Sequence, residues 1–241
     1  METGQLSIPV GNDHIPIYFA RPETPGPHPC VIVVHEIFGV HDYIRGICNR
    51  LAEEHYYAVA VDLYSRYGDA TKMTDHKKIY TEIVSKTTRK QIYHDLDAAV
   101  AWLGKEAHAD ASRIGVTGFC WGGTITWLYA AHNAKLKAGV AWYGRLQGEH
   151  TASQSEFPID VARDVFVPVL GLYGAKDESI PLESIKEMEL ILDQGKTESR
   201  IIVYPNAGHA FHADYRPMYV EAVAKEAWNE MLDWFKKYLK S

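Results

Sequence analysis

The run Arg113-Ile114-Gly115-Val116-Thr117-Gly118-Phe119-Cys120-Trp121-Gly122-Gly123 constrains the fold more than any other part of the chain. It reads as a buried strand, a sharp turn flanked by glycines, and the start of a helix. Gly118 and Gly122 stand two residues either side of Cys120, where side chains would collide with the neighbouring strand and helix. Such a turn sets its apex residue at a helix N-terminus, where backbone N–H groups and the positive dipole end favour a thiolate and a developing oxyanion. Cys120 is thereby a candidate nucleophile; the alternative is a small buried hydrophobe in a glycine-rich turn.

Around this run, short β-branched segments alternate with longer ones of helical period. That pattern predicts a mostly parallel sheet in a three-layer α/β/α arrangement. Gln5 to Val10 and His14 to Ala20 read as an opening hairpin across Gly11-Asn12-Asp13, and Cys30 to His35 as a fully buried strand. Ile44, Ile47, Cys48, Leu51 and Ala52 share one face of a helix, which assigns Cys48 to the core. Strands are expected at Tyr57 to Val61, Lys137 to Trp142, Val167 to Tyr173 and Ser199 to Tyr204. Helices are expected over Ile92 to Leu103, Trp121 to His132 and Pro181 to Gln194. The last helix carries the stripe Val220, Val223, Ala224, Ala227, Trp228, Met231, Leu232, Phe235 and Leu239. Two irregular excursions remain. One runs from Ser65 to about Arg89, with a short helix near Lys77 to Val84; the other runs from Tyr143 to Phe166. Segments of this length are lids, binding loops or plain surface excursions.

At 241 residues the chain suits a single domain, residues 1–241. With 46% hydrophobic and 23% charged residues it is ordinary for a soluble globular protein, and a net charge of −6 offers no basic footprint for nucleic acid. The first residues lack a positive n-region and an apolar h-region, and no apolar run reaches membrane-spanning length, so a cytoplasmic protein with no membrane partner is expected. Three cysteines (Cys30, Cys48, Cys120) are expected to be reduced. Neither C-x-x-C nor H-E-x-x-H occurs, so no metal is called for.

A cysteine nucleophile needs a base, and the base needs an orienting acid. Gly174-Ala175-Lys176-Asp177 puts an acid in the loop after one strand, and Ala207-Gly208-His209 puts a histidine in the loop after the last. Cys120, Asp177 and His209 stand in the order nucleophile, acid, histidine, each beyond a strand's carboxyl end, where open α/β sheets bind ligands. Asp62 and His212 are the second choices for acid and base. Beyond the first buried strand, Val34-His35-Glu36-Ile37-Phe38-Gly39 lies where hydrolases supply one oxyanion N–H, and the residue after the nucleophile supplies the other. This assigns the backbones of Ile37 and Trp121. Glu36 at an apolar strand end requires a partner, either in a structural salt bridge or at the Cys120 thiol, where it would control when the sulfur ionises.

Together with Asp62-Leu63-Tyr64, Gly118-Phe119-Cys120-Trp121-Gly122-Gly123, Trp142-Tyr143-Gly144 and Ala207-Gly208-His209-Ala210-Phe211, these motifs make the chain resemble the dienelactone hydrolases, or carboxymethylenebutenolidases, over most of its length. The resemblance implies an α/β-hydrolase fold with no cofactor and a Cys120-Asp177-His209 triad. It implies that Glu36 holds the resting thiol, and that a thioester acyl-enzyme is hydrolysed by a His209-activated water. Family members that act on dienelactone bind its carboxylate with two arginines. One position falls near Lys77, and the other is Ala213 here, four residues past His209. Arg145, Arg216, Tyr143 and Phe38 are the remaining candidate substrate contacts. Arginine and lysine are not interchangeable for a bidentate carboxylate, so a related small lactone or ester is the expected substrate.

Two further readings stand beside hydrolysis. The same triad could run acyl transfer or thioester hydrolysis, which competition by an added alcohol or thiol would reveal. A non-catalytic ligand-binding homologue would have no need of nucleophile, acid and base together. The protein is expected to be a monomer or a homodimer.

Overall fold

The computed structural model describes residues 1–240. Its strands run in the order β1-β2-β4-β3-β5-β6-β7-β8, eight in all and mostly parallel, with helices in the connections. This is the α/β class that the alternating pattern predicts. The chain divides into two compact units, Met1–Ile114 with His150–Ser155, and Gly115–Glu149 with the chain from Glu156 on.

In the first unit, β1 (Glu2–Val10) pairs antiparallel with β2 (Asp13–Arg21), and Gly11 takes φ 60° in the turn, a conformation that side chains disfavour. Burial in β1 begins only at Ile8, so its first half carries no alternation that a sequence could display. β3 (His28–Val34) is buried at every residue, as a strand covered on both faces must be. α1 (Asp42–Glu53) buries Ile44, Ile47, Cys48, Leu51 and Ala52, the five residues its periodicity selected. β4 (Tyr57–Val61) pairs parallel with β3 and antiparallel with β2. The long polar segment then forms α2 (His76–Glu82), capped by the Asp75 carboxylate, with short 3₁₀ turns on either side.

α3 (Arg89–Leu103) is capped by the Thr88 hydroxyl and buries Ile92, Leu96, Ala99, Val100 and Leu103. It also buries Asp95, which grips the Arg66 guanidinium through two bonds of 2.7 and 3.0 Å, while Arg66 Nε reaches Asp13 at 2.9 Å. One guanidinium therefore ties the start of the polar segment to α3 and to the hairpin. Cys30 and Cys48 are both reduced and buried, and burial pushes both thiols up, Cys30 to about 12.

The division between units falls within β5 (Ala109–Phe119). In the second unit β5 ends at Phe119, and after Cys120 α4 (Trp121–His132) starts at once and is buried over ten successive residues. β6 (Leu136–Trp142) pairs parallel with β7 (Val169–Gly174), which takes the register of β8 (Arg200–Tyr204) on its other side. The one-turn α5 (Pro158–Val161) lies in the excursion between β6 and β7, and α6 (Leu182–Leu192) joins β7 to β8. α7 (Glu221–Leu239) buries Ala224, Ala227, Trp228, Met231, Trp234, Phe235 and Leu239. The stripe read from sequence included Leu232 and omitted Trp234, and the structure reverses that pair: Leu232 is half-exposed, while Trp234 is buried with the Arg200 guanidinium 5.5 Å over its ring. Among the described residues no helix is long and apolar enough to cross a membrane.

Candidate active site

Cys120 holds φ 56° and ψ −117°, a conformation almost confined to glycine, between the last residue of β5 and the first of α4. Backbone bonds enforce it. The Cys120 N–H donates to the Trp142 carbonyl at 3.0 Å, and the Cys120 carbonyl accepts from Gly123 N–H at 2.9 Å and Thr124 N–H at 3.3 Å. Gly118 is required here because a Cβ at that position would lie 2.2 Å from the Gly122 carbonyl oxygen. The sulfur is half-buried.

The loops after β7 and β8 are stitched together by backbone. Ala175 N–H donates to Tyr204 O at 2.9 Å and Lys176 N–H to Ala207 O at 2.8 Å. So close an approach needs glycine at 174, where a Cβ would lie 2.5 Å from the Ala207 carbonyl oxygen. These strands thus deliver Asp177 and His209 to each other. The His209 Nδ1–H donates to Asp177 Oδ2 at 2.7 Å, and Nε2 on the far side of the ring stands 3.2 Å from Cys120 Sγ. The three residues proposed from sequence meet in one line, Asp177 to His209 to Cys120.

Burial alone would lower the proton affinity of His209, but its bonds to Asp177 and Cys120 outweigh that and raise its pKa to about 10. Burial alone would raise that of Asp177, which is 5% exposed, yet the bonds from His209 and Ser179 hold it below the ordinary carboxylate range. The proton between the two thus resides on the imidazole across the neutral range. His212, the second-choice base, instead stacks among Phe119, Trp142 and Trp228. Asp62, the second-choice acid, lies in the first unit, where its carboxylate accepts from Tyr64 N–H at 3.0 Å.

Glu36 is fully buried in the first unit, with Oε2 3.2 Å from His41 Nε2. His41 is a partner that the sequence reading did not name. The turn holding Glu36 and Ile37 is pinned by His35. Its Nδ1–H donates to Glu36 O at 2.6 Å, and its Nε2 accepts from Leu63 N–H at 3.3 Å, an arrangement open only to a neutral ring. Burial lowers the His35 pKa to about 4, which keeps the ring in that form. Ile37 and Phe38 are half-exposed, and Phe38 packs on His76 and His41.

Tyr143 is wholly buried at φ 37°, its ring 5.3 Å from that of His209 and 5.2 Å from Phe211. Trp121 is buried as the first residue of α4. Arg145 is exposed, and its carbonyl accepts from the Thr124 hydroxyl at 2.9 Å. Arg216 is half-buried, and Lys77 is exposed on α2. Ser179, absent from the sequence reading, bonds to Asp177 twice; only the short Asp-x-Ser spacing could have hinted at it. No group of three or more His, Cys, Asp or Glu side chains among the described residues is arranged to hold a metal ion.

Several known proteins are similar to this chain. The profile of the Dienelactone hydrolase family matches residues 15–239. A Methylorubrum extorquens protein named "Putative carboxymethylenebutenolidase" is 51% identical over 98% of this chain and 81% of its own length. A Bradyrhizobium protein named "Probable 2-oxo-3-(5-oxofuran-2-ylidene)propanoate lactonase" is 32% identical over 92% of this chain and 89% of its own. The crystal structure of a "Putative Dienelactone Hydrolase" from Klebsiella pneumoniae superposes with a TM-score of 0.96 at 50% identity, covering 98% of this chain and 99% of that one.

Proposed function

The chain belongs to the dienelactone hydrolase family, whose fold it shares, and from that premise we propose that it hydrolyses a small ester or lactone through a thioester on Cys120. The observation that carries the proposal is the contact line from Asp177 through His209 to the sulfur, at 2.7 and 3.2 Å. His209, oriented by Asp177 and with Nε2 3.2 Å from the sulfur, takes the Cys120 proton, so the attacking group is a thiolate beside an imidazolium. The thiolate attacks the carbonyl carbon, and the carbonyl π electrons move to oxygen as an oxyanion. When the oxyanion collapses, the bond to the ester or ring oxygen breaks, and that oxygen takes the Nε2 proton and leaves as an alcohol. The neutral His209 next removes a proton from water, and hydroxide adds to the thioester carbonyl. The thiolate departs, the acid loses its proton to solvent, and Nε2 returns its proton to the sulfur, which restores the resting thiol.

Several expectations belong to this proposal. Glu36 holds the resting thiol until substrate binding frees it to be deprotonated, and the N–H groups of Ile37 and Trp121 receive the oxyanion. Tyr143, Lys77, Arg145, Arg216 and Phe38 contact substrate. Residues 1–241 form one α/β-hydrolase domain. The protein works in the cytoplasm, as a monomer or homodimer, on a small molecule. The lactonase name of the Bradyrhizobium relative supports a lactone as the first substrate to try. The test is turnover of a panel of small lactones and activated esters by the wild type and by Cys120→Ala. Activity in the wild type that disappears in a folded Cys120→Ala protein supports the reading, and activity retained in that variant overturns it.

A further inference from the structure

We propose that Ser179 is a positioning residue of this site, locking the Asp177 carboxylate in the orientation that serves His209; the inference rests on the catalytic reading given above. A carboxylate turns about a soft, two-fold torsion, so a lone bond from an imidazole leaves it free to swing and exchange its oxygens. Ser179 removes that freedom. Its hydroxyl donates to Asp177 Oδ1 at 2.6 Å and its backbone N–H to the same oxygen at 2.9 Å, leaving Oδ2 for the His209 Nδ1–H at 2.7 Å. An ionised carboxylate carries no hydrogen, so the serine proton must point to Oδ1. The lone pairs of Ser179 Oγ are then turned towards His209 Nδ1, 3.5 Å away, as a second, weaker acceptor for the same N–H.

The arrangement places a hydrogen on Nδ1 in every protonation state of the ring, which leaves Nε2 to exchange its proton with sulfur and substrate. Both donors are short and charge-assisted, the stronger kind of hydrogen bond. Ser179 is exposed, so losing its hydroxyl opens no buried cavity. It touches neither the sulfur nor a reacting atom, and so acts only through Asp177.

The experiment compares Ser179→Ala, Ser179→Thr and Cys120→Ala with the wild type on one activated ester, measuring kcat, KM and the pH profile of kcat/KM. Ser179→Ala keeps the backbone bond and loses the hydroxyl. It is expected to lower kcat about ten-fold, an amount consistent with losing one hydrogen bond to a charged group, with KM changed less than about two-fold. Its acid limb moves to higher pH, because the carboxylate has lost a donor that favoured its ionised form. Ser179→Thr, which keeps the hydroxyl, restores kcat to within about three-fold of the wild type. Wild-type kinetics in Ser179→Ala overturn the proposal. So does a loss of activity with an unmoved acid limb that threonine does not rescue, since that marks a merely structural side chain. Retained activity in Cys120→Ala instead overturns the catalytic reading on which the proposal stands.

Discussion

Replacing Cys120 by glycine should make the protein more stable than replacing it by alanine, although both variants should lose activity. Residue 120 sits at φ 56° and ψ −117°, held there by the bond from its N–H to Trp142 and the bonds its carbonyl accepts from Gly123 and Thr124. A Cβ in such a conformation costs about 1–3 kcal/mol, which alanine retains and glycine sheds. Against this gain, glycine enlarges the unfolded ensemble, at a cost of about 0.4–1 kcal/mol. Central values leave glycine ahead by about 1 kcal/mol. For a chain of this size that is a melting temperature about 2–4 °C higher. The two variants lose the same sulfur and the same contact with His209, so their difference isolates the backbone. Differential scanning calorimetry of both at one pH measures it. A glycine variant that melts at or below the alanine variant would refute the argument, because the turn would then store no strain for a side chain to pay.

Other consequences follow from the same contacts. The raised His209 pKa means that folding favours the protonated ring: its stabilising contribution is complete below about pH 6.5 and is lost as pH rises through about 10. The ring should accordingly titrate near 10 by NMR in the wild type and lower in Asp177→Asn, and the alkaline loss of stability should be shallower in His209→Gln. Arg66→Ala leaves the buried Asp95 carboxylate to the Gln91 amide, 3.3 Å away, and should destabilise by about 2–3 kcal/mol, lowering the melting temperature by roughly 5–10 °C. Adding Asp95→Ala should recover part of that loss. Gly46→Ala in α1, where an added Cβ meets nothing within 4 Å, should raise the melting temperature by about 2–4 °C, since glycine costs a helix interior about 1 kcal/mol.

The sequence was most readable where periodicity and chemistry agreed. The buried face of α1 and the apolar runs of β3 and β4 are written in residue type alone, because full burial tolerates little else. Cys120, Asp177 and His209 were legible because each follows a strand, and strand ends converge by the logic of a parallel sheet. Contacts set by turn geometry left no such trace. Ser179 reaches Asp177 only because the chain turns at 177–180, with Ile180 N–H donating to Asp177 O. His41 meets Glu36 across a turn containing Gly39 at φ 76°, where nothing in either residue announces the pairing. The Arg66–Asp95 fork joins residues 29 apart, one of them in a segment that read as polar excursion. Trp234 was missed because its burial comes from one face of α7 and from the Arg200 guanidinium beyond it, while Leu232 looked equally apolar and faces outward.

In the proposed mechanism the sulfur of Cys120 carries the acyl group. The mass of the intact protein after brief mixing with an activated ester of known acyl group, followed by peptide mapping, with Cys120→Ala and His209→Ala alongside, decides whether it does. A gain of one acyl mass is expected on the peptide that contains Cys120. That gain is absent from Cys120→Ala and slower to form in His209→Ala. Turnover in Cys120→Ala, or an acyl group mapped to any other residue, would contradict it.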